Sequence, residues 1–193
     1  MFERIMGIIT FKAPTYRAIA VDKTAINQAA IIVMVVALIQ GICSDLITTV
    51  ASGINPSLMQ VIISAVLNVI LGLIVWVMIA WLLTVIARAF GGQTGTGEMR
   101  RVAGFVQIFG LVTVFSLLAL KTPANSFTDF LIALAILVLS LVGYFIGVRE
   151  AAGLAAGKAM ITAVLASAAS FVVIIVLDNV SIAVFSYILR FAG

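Results

Sequence analysis

Five apolar stretches fill most of this chain, and each is close to the roughly 20 residues that a helix needs to cross a hydrocarbon core of about 30 Å. They cover residues 26–43, 61–87, 102–120, 127–148 and 159–177, the last with an apolar continuation to 189. Runs of this kind fix the solvent before they fix anything else. The chain is 64% hydrophobic and 9% charged, whereas a soluble domain carries about 25% charged residues. Barrel strands would alternate apolar and polar positions, and these runs do not. Helices then remain, because hydrocarbon offers the backbone no water to bond. The expected fold is all-α: a polytopic membrane protein with a five-transmembrane-helix bundle over residues 25–193 and a short N-terminal interfacial helix within 1–24.

The charges sort by loop. Arg4, Lys12, Arg17, Lys23, Arg88, Arg100, Arg101, Arg149 and Lys158 fall on one side of the spans, against Lys121 and Arg190 on the other. In short loops this bias sets orientation. The N-terminus is therefore expected in the cytoplasm and the C-terminus outside. The net charge of +4 follows from topology and anionic lipid, and gives no reason to expect nucleic acid. The first span exceeds the 7–15 apolar residues of a signal peptide and reads as a retained helix. Cys43, alone, reads as a small apolar residue at a helix end.

The tail is patterned. Phe2, Ile5, Met6 and Ile9 recur at helical spacing, which predicts an amphipathic helix in the inner interface. Pro14 suits the first turn of a second short helix, and Tyr16 with Arg17 suits the headgroup level. This segment serves as membrane anchor or as partner-docking surface. The loop 44–60 carries Leu46, Ile47, Val50 and Ile54 at interfacial spacing and closes on Asn55-Pro56. Small residues mark expected helix contacts: Gly143 with Gly147, Gly153 with Gly157, and the face of Ala159, Ala163, Ser167 and Ser170. These predict tight packing of the fourth and fifth spans, or else a homodimer seam.

Chemistry is sparse. The chain has no His and one Cys, which removes the commonest general base and the usual metal-ligand sets. No cofactor is expected. The run Gly91-Gly92-Gln93-Thr94-Gly95-Thr96-Gly97 lacks the Lys of a phosphate loop and reads as a tight turn. Thr94 or Thr96, with Glu98, then caps the next helix. Within the spans Asn68 and Gln107 predict interhelical hydrogen bonds. Asp178 reads as an interfacial residue that ends or kinks the fifth helix, or as an ion site.

Three landmarks occur in order: Pro14-Thr15-Tyr16-Arg17, then Ala87-Arg88-Ala89-Phe90-Gly91-Gly92-Gln93-Thr94-Gly95-Thr96, then Gly147-Val148-Arg149-Glu150-Ala151-Ala152-Gly153-Leu154-Ala155-Ala156-Gly157-Lys158-Ala159. With five spans, these resemble the Yip family of Ypt/Rab-interacting membrane proteins, and its prokaryotic members most. The resemblance implies a five-helix domain that acts through partners and not through catalysis. Its eukaryotic members are associated with Golgi and endoplasmic-reticulum trafficking and small GTPases, and carry a long cytosolic region where this chain has about 24 residues.

The leading expectation is a non-enzymatic integral protein, in a bacterial cytoplasmic membrane, that organises partner proteins or lipids or its own copies. Its working face would be Arg88, Gly91, Gly92, Arg149 and Glu150, although the arginines also serve as ordinary anchors. The rival is a small ion or solute carrier or channel using Asn68, Gln107 and Asp178, which would line one cavity.

Overall fold

The computed structural model describes residues 1–53, 55, 57–121 and 126–192, and the side chains at 51, 118–121, 126, 129 and 178–192 fall outside the description. Among the described residues the chain forms α1 (Phe2–Ile9), α2 (Ala13–Val21), α3 (Ala25–Ala51), α4 (Leu58–Ala89), α5 (Thr96–Val106), α6 (Ser126–Ala152) and α7 (Ala156–Ala192). A 3₁₀ stretch, Gln107–Lys121, continues α5 without a break. Strands are absent among the described residues. Five segments are long and apolar enough to cross a membrane: Ala25–Val50, Leu58–Ala89, Thr96–Leu117, Phe130–Ala152 and Ala156–Leu177. The chain is an all-α, five-span membrane protein, as its apolar runs predict.

Two boundaries move. The first span does not stop at Cys43, because α3 runs on to Ala51 and absorbs the segment expected as a separate interfacial helix. Thr48, Thr49 and Ser52 turn their hydroxyls onto carbonyls of the preceding turn, so these polar residues do not interrupt the helix. At the start of α4, Ser57 and Gln60 form a reciprocal capping box with bonds of 3.2 and 3.1 Å. Pro56 of the expected turn lies outside the described residues. At the other end α7 is helical through position 178, so the backbone shows no helix end there. The side chain of Asp178 is outside the description.

The third span is the hub. Buried positions make up 44% of its apolar window, against 22–33% for the other four spans. Met99, Val102, Ala103, Phe105 and Val106 are all buried, and α5 touches α2, α3, α4 and α6. It is also the least apolar of the five. Hydrocarbon would penalise its polar groups, and the surrounding helices shield them.

Past Val106 the winding tightens, and the side-chain pattern explains what this achieves. A 3₁₀ helix has about three residues per turn, so positions i and i+3 eclipse. Gln107, Gly110, Thr113 and Ser116 then fall on one face. In an α-helix nine residues turn through about 900°, which would put Ser116 opposite Gln107. The small, polar face meets α3: a Cβ on Gly110 would lie 2.8 Å from Val36 Cγ1, and the Gln40 amide donates to the Gly110 carbonyl at 3.4 Å. Ser116 is buried, whereas Val114 and Phe115 on the other two faces are exposed.

The tail belongs to the same core as the spans. Ile8, Tyr16 and Ile19 are fully buried and cluster with Ala29, Val102 and Val148. Phe2, Met6 and Ile9 remain exposed, so α1 has one apolar face for lipid and another for the bundle. Tyr16 is part of this core. It is buried, donates its hydroxyl to the Ile8 carbonyl at 3.2 Å, and burial pushes its phenol up. Arg4 bonds Asp22 at 2.5 Å and Gln28 at 3.2 Å, fastening α1 to the entry of α3.

The glycine contacts differ from expectation in their partner. A Cβ on Gly143 would meet Val106 and Phe109 at 3.0 and 3.2 Å, and one on Gly147 would meet Val102 and Tyr16. This pair thus lets α6 approach the third span and the tail, and not α7. Gly153 and Gly157 would meet nothing within 4 Å, so they mark a connection and not a contact. On α7, which packs against α4 and α6, Ala159, Thr162, Ala163, Ala166 and Ser170 are buried while Ser167 is half-buried.

Candidate functional site

Five basic segments share one end of the bundle: the tail, the end of α4, the start of α5, the end of α6 and the start of α7. At this basic end α4 terminates with Gly91 in the left-handed region, φ +88°, a conformation that costs other residues about 1–2 kcal/mol. The reversal brings the Gly92 N–H to the Ala87 carbonyl at 2.9 Å and the Gln93 N–H to the Ala152 carbonyl at 3.1 Å. Gly92 is tight: a Cβ there would lie 2.9 Å from the Ala87 oxygen and 3.0 Å from Ala152 Cβ. Glycine at 91 and 92 therefore lets the turn dock onto the end of α6.

Side chains then lock the turn. Arg88 Nε donates to the Thr94 carbonyl at 2.8 Å. Glu98 accepts from the Thr94 hydroxyl at 2.8 Å and the Gly95 N–H at 3.0 Å, which places its charge at the positive end of α5. Lys158 reaches the Phe90 carbonyl at 3.1 Å. Arg101 donates to the Ala20 carbonyl through Nε at 2.9 Å and through Nη2, serving the last turn of α2. Arg149 pairs with Glu150 at 2.9 Å and lies 5.9 Å from the Phe145 ring centroid. An ion pair this exposed contributes at most about 1 kcal/mol.

These contacts enclose a polar cleft of about 410 Å³. Arg17 of α2, Gly91 and Gln93 of the turn, Glu98 of α5, and Glu150 and Gly153 from the end of α6 line it. The three landmark segments, which lie far apart in sequence, each contribute to its wall. Of the five residues expected on the working face, Gly91 and Glu150 line the cleft. Arg88, Gly92 and Arg149 support it from behind through the bonds above. Sequence reasoning missed Arg17, Gln93 and Glu98 as wall residues. Their only signal was membership of the same landmarks or of the cap.

The intramembrane residues do not gather. Asn68 sits where α3 and α4 cross at Gly41, whose Cβ would lie 2.8 Å from Asn68 Cβ. Its amide donates to Ser64 of its own helix at 3.0 Å, not to a neighbour as its position suggests. Gln107 is half-buried at the junction of α5 and the 3₁₀ stretch. Among the described residues, polar links between spans run from Gln40 to Gly110, from Ser64 to Asp45 at 3.0 Å, and from Trp76 to the Arg100 carbonyl. Among the described residues no three His, Cys, Asp or Glu side chains come together as a metal site would need.

A five-span helical bundle with a polar cleft at its basic end defines a class of integral membrane protein. Within that class the chain belongs to the Yip1 family: the Yip1 domain model matches residues 6–177. No curated protein and no solved structure matches the chain.

Proposed function

We propose that the basic end faces the cytoplasm and that the chain works there as a non-enzymatic docking platform in a bacterial cytoplasmic membrane, with the cleft as its binding surface. The convergence of the three landmark segments on one cleft carries this reading. The wall mixes a guanidinium, two carboxylates, an amide and glycine backbone, which suits a polar loop of a partner protein better than an apolar one.

The rival carrier reading draws no support from the described side chains. Asn68 bonds its own helix, and neither this cleft nor the flank hollow described below is lined by Asn68 or Gln107.

A photo-activated cross-linking residue at position 93, compared with one at lipid-facing Val114, tests the proposal in native membranes. Protein adducts are expected at 93 and not at 114. Adding Glu150→Arg should lower their yield roughly tenfold, the effect of about 1.4 kcal/mol in affinity. Equal adducts at both positions, or no effect of Glu150→Arg, would refute the docking role.

A further inference from the structure

A second hollow opens on the flank of the bundle. Leu73, Ile74, Val77, Met78 and Trp81 of α4 line it together with Arg100 of α5, and its volume is about 690 Å³. Trp81 is 53% exposed and Ile74 49%, so this wall faces hydrocarbon and not another helix of the chain.

Arg100 is out of place against such a wall. Its carbonyl accepts the Trp76 indole N–H at 2.7 Å, which fixes the backbone. Its Nε is buried and has no hydrogen-bond partner among the described residues. Arg88, Arg101 and Arg149 each spend theirs on a carboxylate or carbonyl. Buried donors of charged groups are rarely left unmet, so an unmet one marks a missing acceptor.

Depth supplies the shape of that acceptor. Arg100 lies four residues into α5, about 6 Å from the basic end of that helix. Along α4 the apolar wall runs from Trp81 to Leu73, about 12 Å towards the opposite face. The Arg100 carbonyl is bonded to Trp76, part-way along that wall, so the hollow sets a cation directly beside an apolar surface. A phosphodiester offers two oxygens that match the guanidinium fork.

We propose that the hollow binds one anionic phospholipid from the leaflet at the basic end. Its phosphate accepts from Arg100, and an acyl chain lies along Leu73, Val77 and Trp81. This site is separate from the docking cleft, so the cross-linking at position 93 can fail without affecting it.

Thermal unfolding of the detergent-purified chain tests the proposal, with phosphatidylglycerol, phosphatidylcholine or inorganic phosphate added. A ligand that binds the folded state raises the melting temperature in proportion to its occupancy. Phosphatidylglycerol should raise it saturably and phosphatidylcholine should not. Arg100→Gln should weaken the response roughly tenfold, while Lys12→Gln, an exposed cation elsewhere at the same end, should leave it intact. Val77→Trp fills the hollow and keeps the cation. It should abolish the response, and it decides the matter if Arg100→Gln does not fold. The proposal is overturned by an equal response to phosphatidylcholine or to inorganic phosphate alone. It is likewise overturned by a wild-type response in Val77→Trp, or by a Val77→Cys chain that cross-links to a second copy through this face.

Discussion

Gly104 shows how little room the hub leaves. A Cβ there would lie 2.6 Å from Ala29 Cβ, 3.1 Å from Ala29 Cα and 3.0 Å from the Trp76 indole nitrogen. Two of these neighbours are fixed, one by the backbone of α3 and one by its bond to Arg100. Gly104→Ala should therefore destabilise the protein by about 1–3 kcal/mol, the usual range for overpacking. Gly157→Ala is the matched comparison. It sits in the first turn of α7 with nothing within 4 Å, and should be neutral or stabilise by about 0.4–1 kcal/mol. Thermal unfolding of both variants in one detergent checks the pair. Phe11 is a second point of residue-scale tension. It holds a left-handed φ of +54°, a genuine outlier for a bulky side chain, and stacks on Phe109 at 5.3 Å between centroids. That contact fixes the α1–α2 corner against the third span.

At the scale of elements, the docking of α1 depends on a carboxylate. Asp22 accepts from the Thr24 hydroxyl and N–H and from Arg4, and these bonds hold its pKa down to about 2 from 3.8. The sign follows from linkage. A depressed carboxylate stabilises the folded arrangement fully above its unfolded value, and loses that contribution as pH falls through the folded one. The protection of α1 amides against hydrogen exchange, taken relative to the intrinsic rate at each pH, should therefore hold down to about pH 4 and fall towards pH 2, whereas Asp22→Asn should show no such step. The spans themselves were legible, because length and hydropathy suffice in a solvent that forbids unpaired backbone. The end of α3 was not: Ser44 to Ser52 reads as a loop by polarity, yet its hydroxyls bond within the helix. The period-three series Gln107, Gly110, Thr113 and Ser116 was present in the sequence, but helix templates of 3.6 residues scatter it. The third span therefore reads as one plain helix. Arg100 likewise reads as one more positive-inside charge, and its unmet Nε appears only when α4 is packed beside it.

For the whole molecule the open quantity is sidedness, and the structure ties it to more than a charge count. Tyr16 and Ile19 are buried in the same core as Val102 and Val148, so the tail must share a side with the start of α5 and the end of α6. An odd number of spans then separates the two termini. Neutralising the tail alone, at Arg4, Lys12, Arg17 and Lys23, should not invert the protein. Arg88, Arg100, Arg101, Arg149 and Lys158 stay at the same end, and lysines and arginines flanking any span contribute to the bias. Single cysteines in a Cys43→Ala background report the outcome, since Cys43 is itself buried. Gln93→Cys lies at the basic end, and Leu58→Cys, 77% exposed at the start of α4, lies at the other. An impermeant thiol reagent on intact cells should label position 58 at once and position 93 only after the membrane is opened. The reverse order would place the cleft outside, and would remove the cytoplasmic docking role while leaving the lipid hollow to be tested in the opposite leaflet.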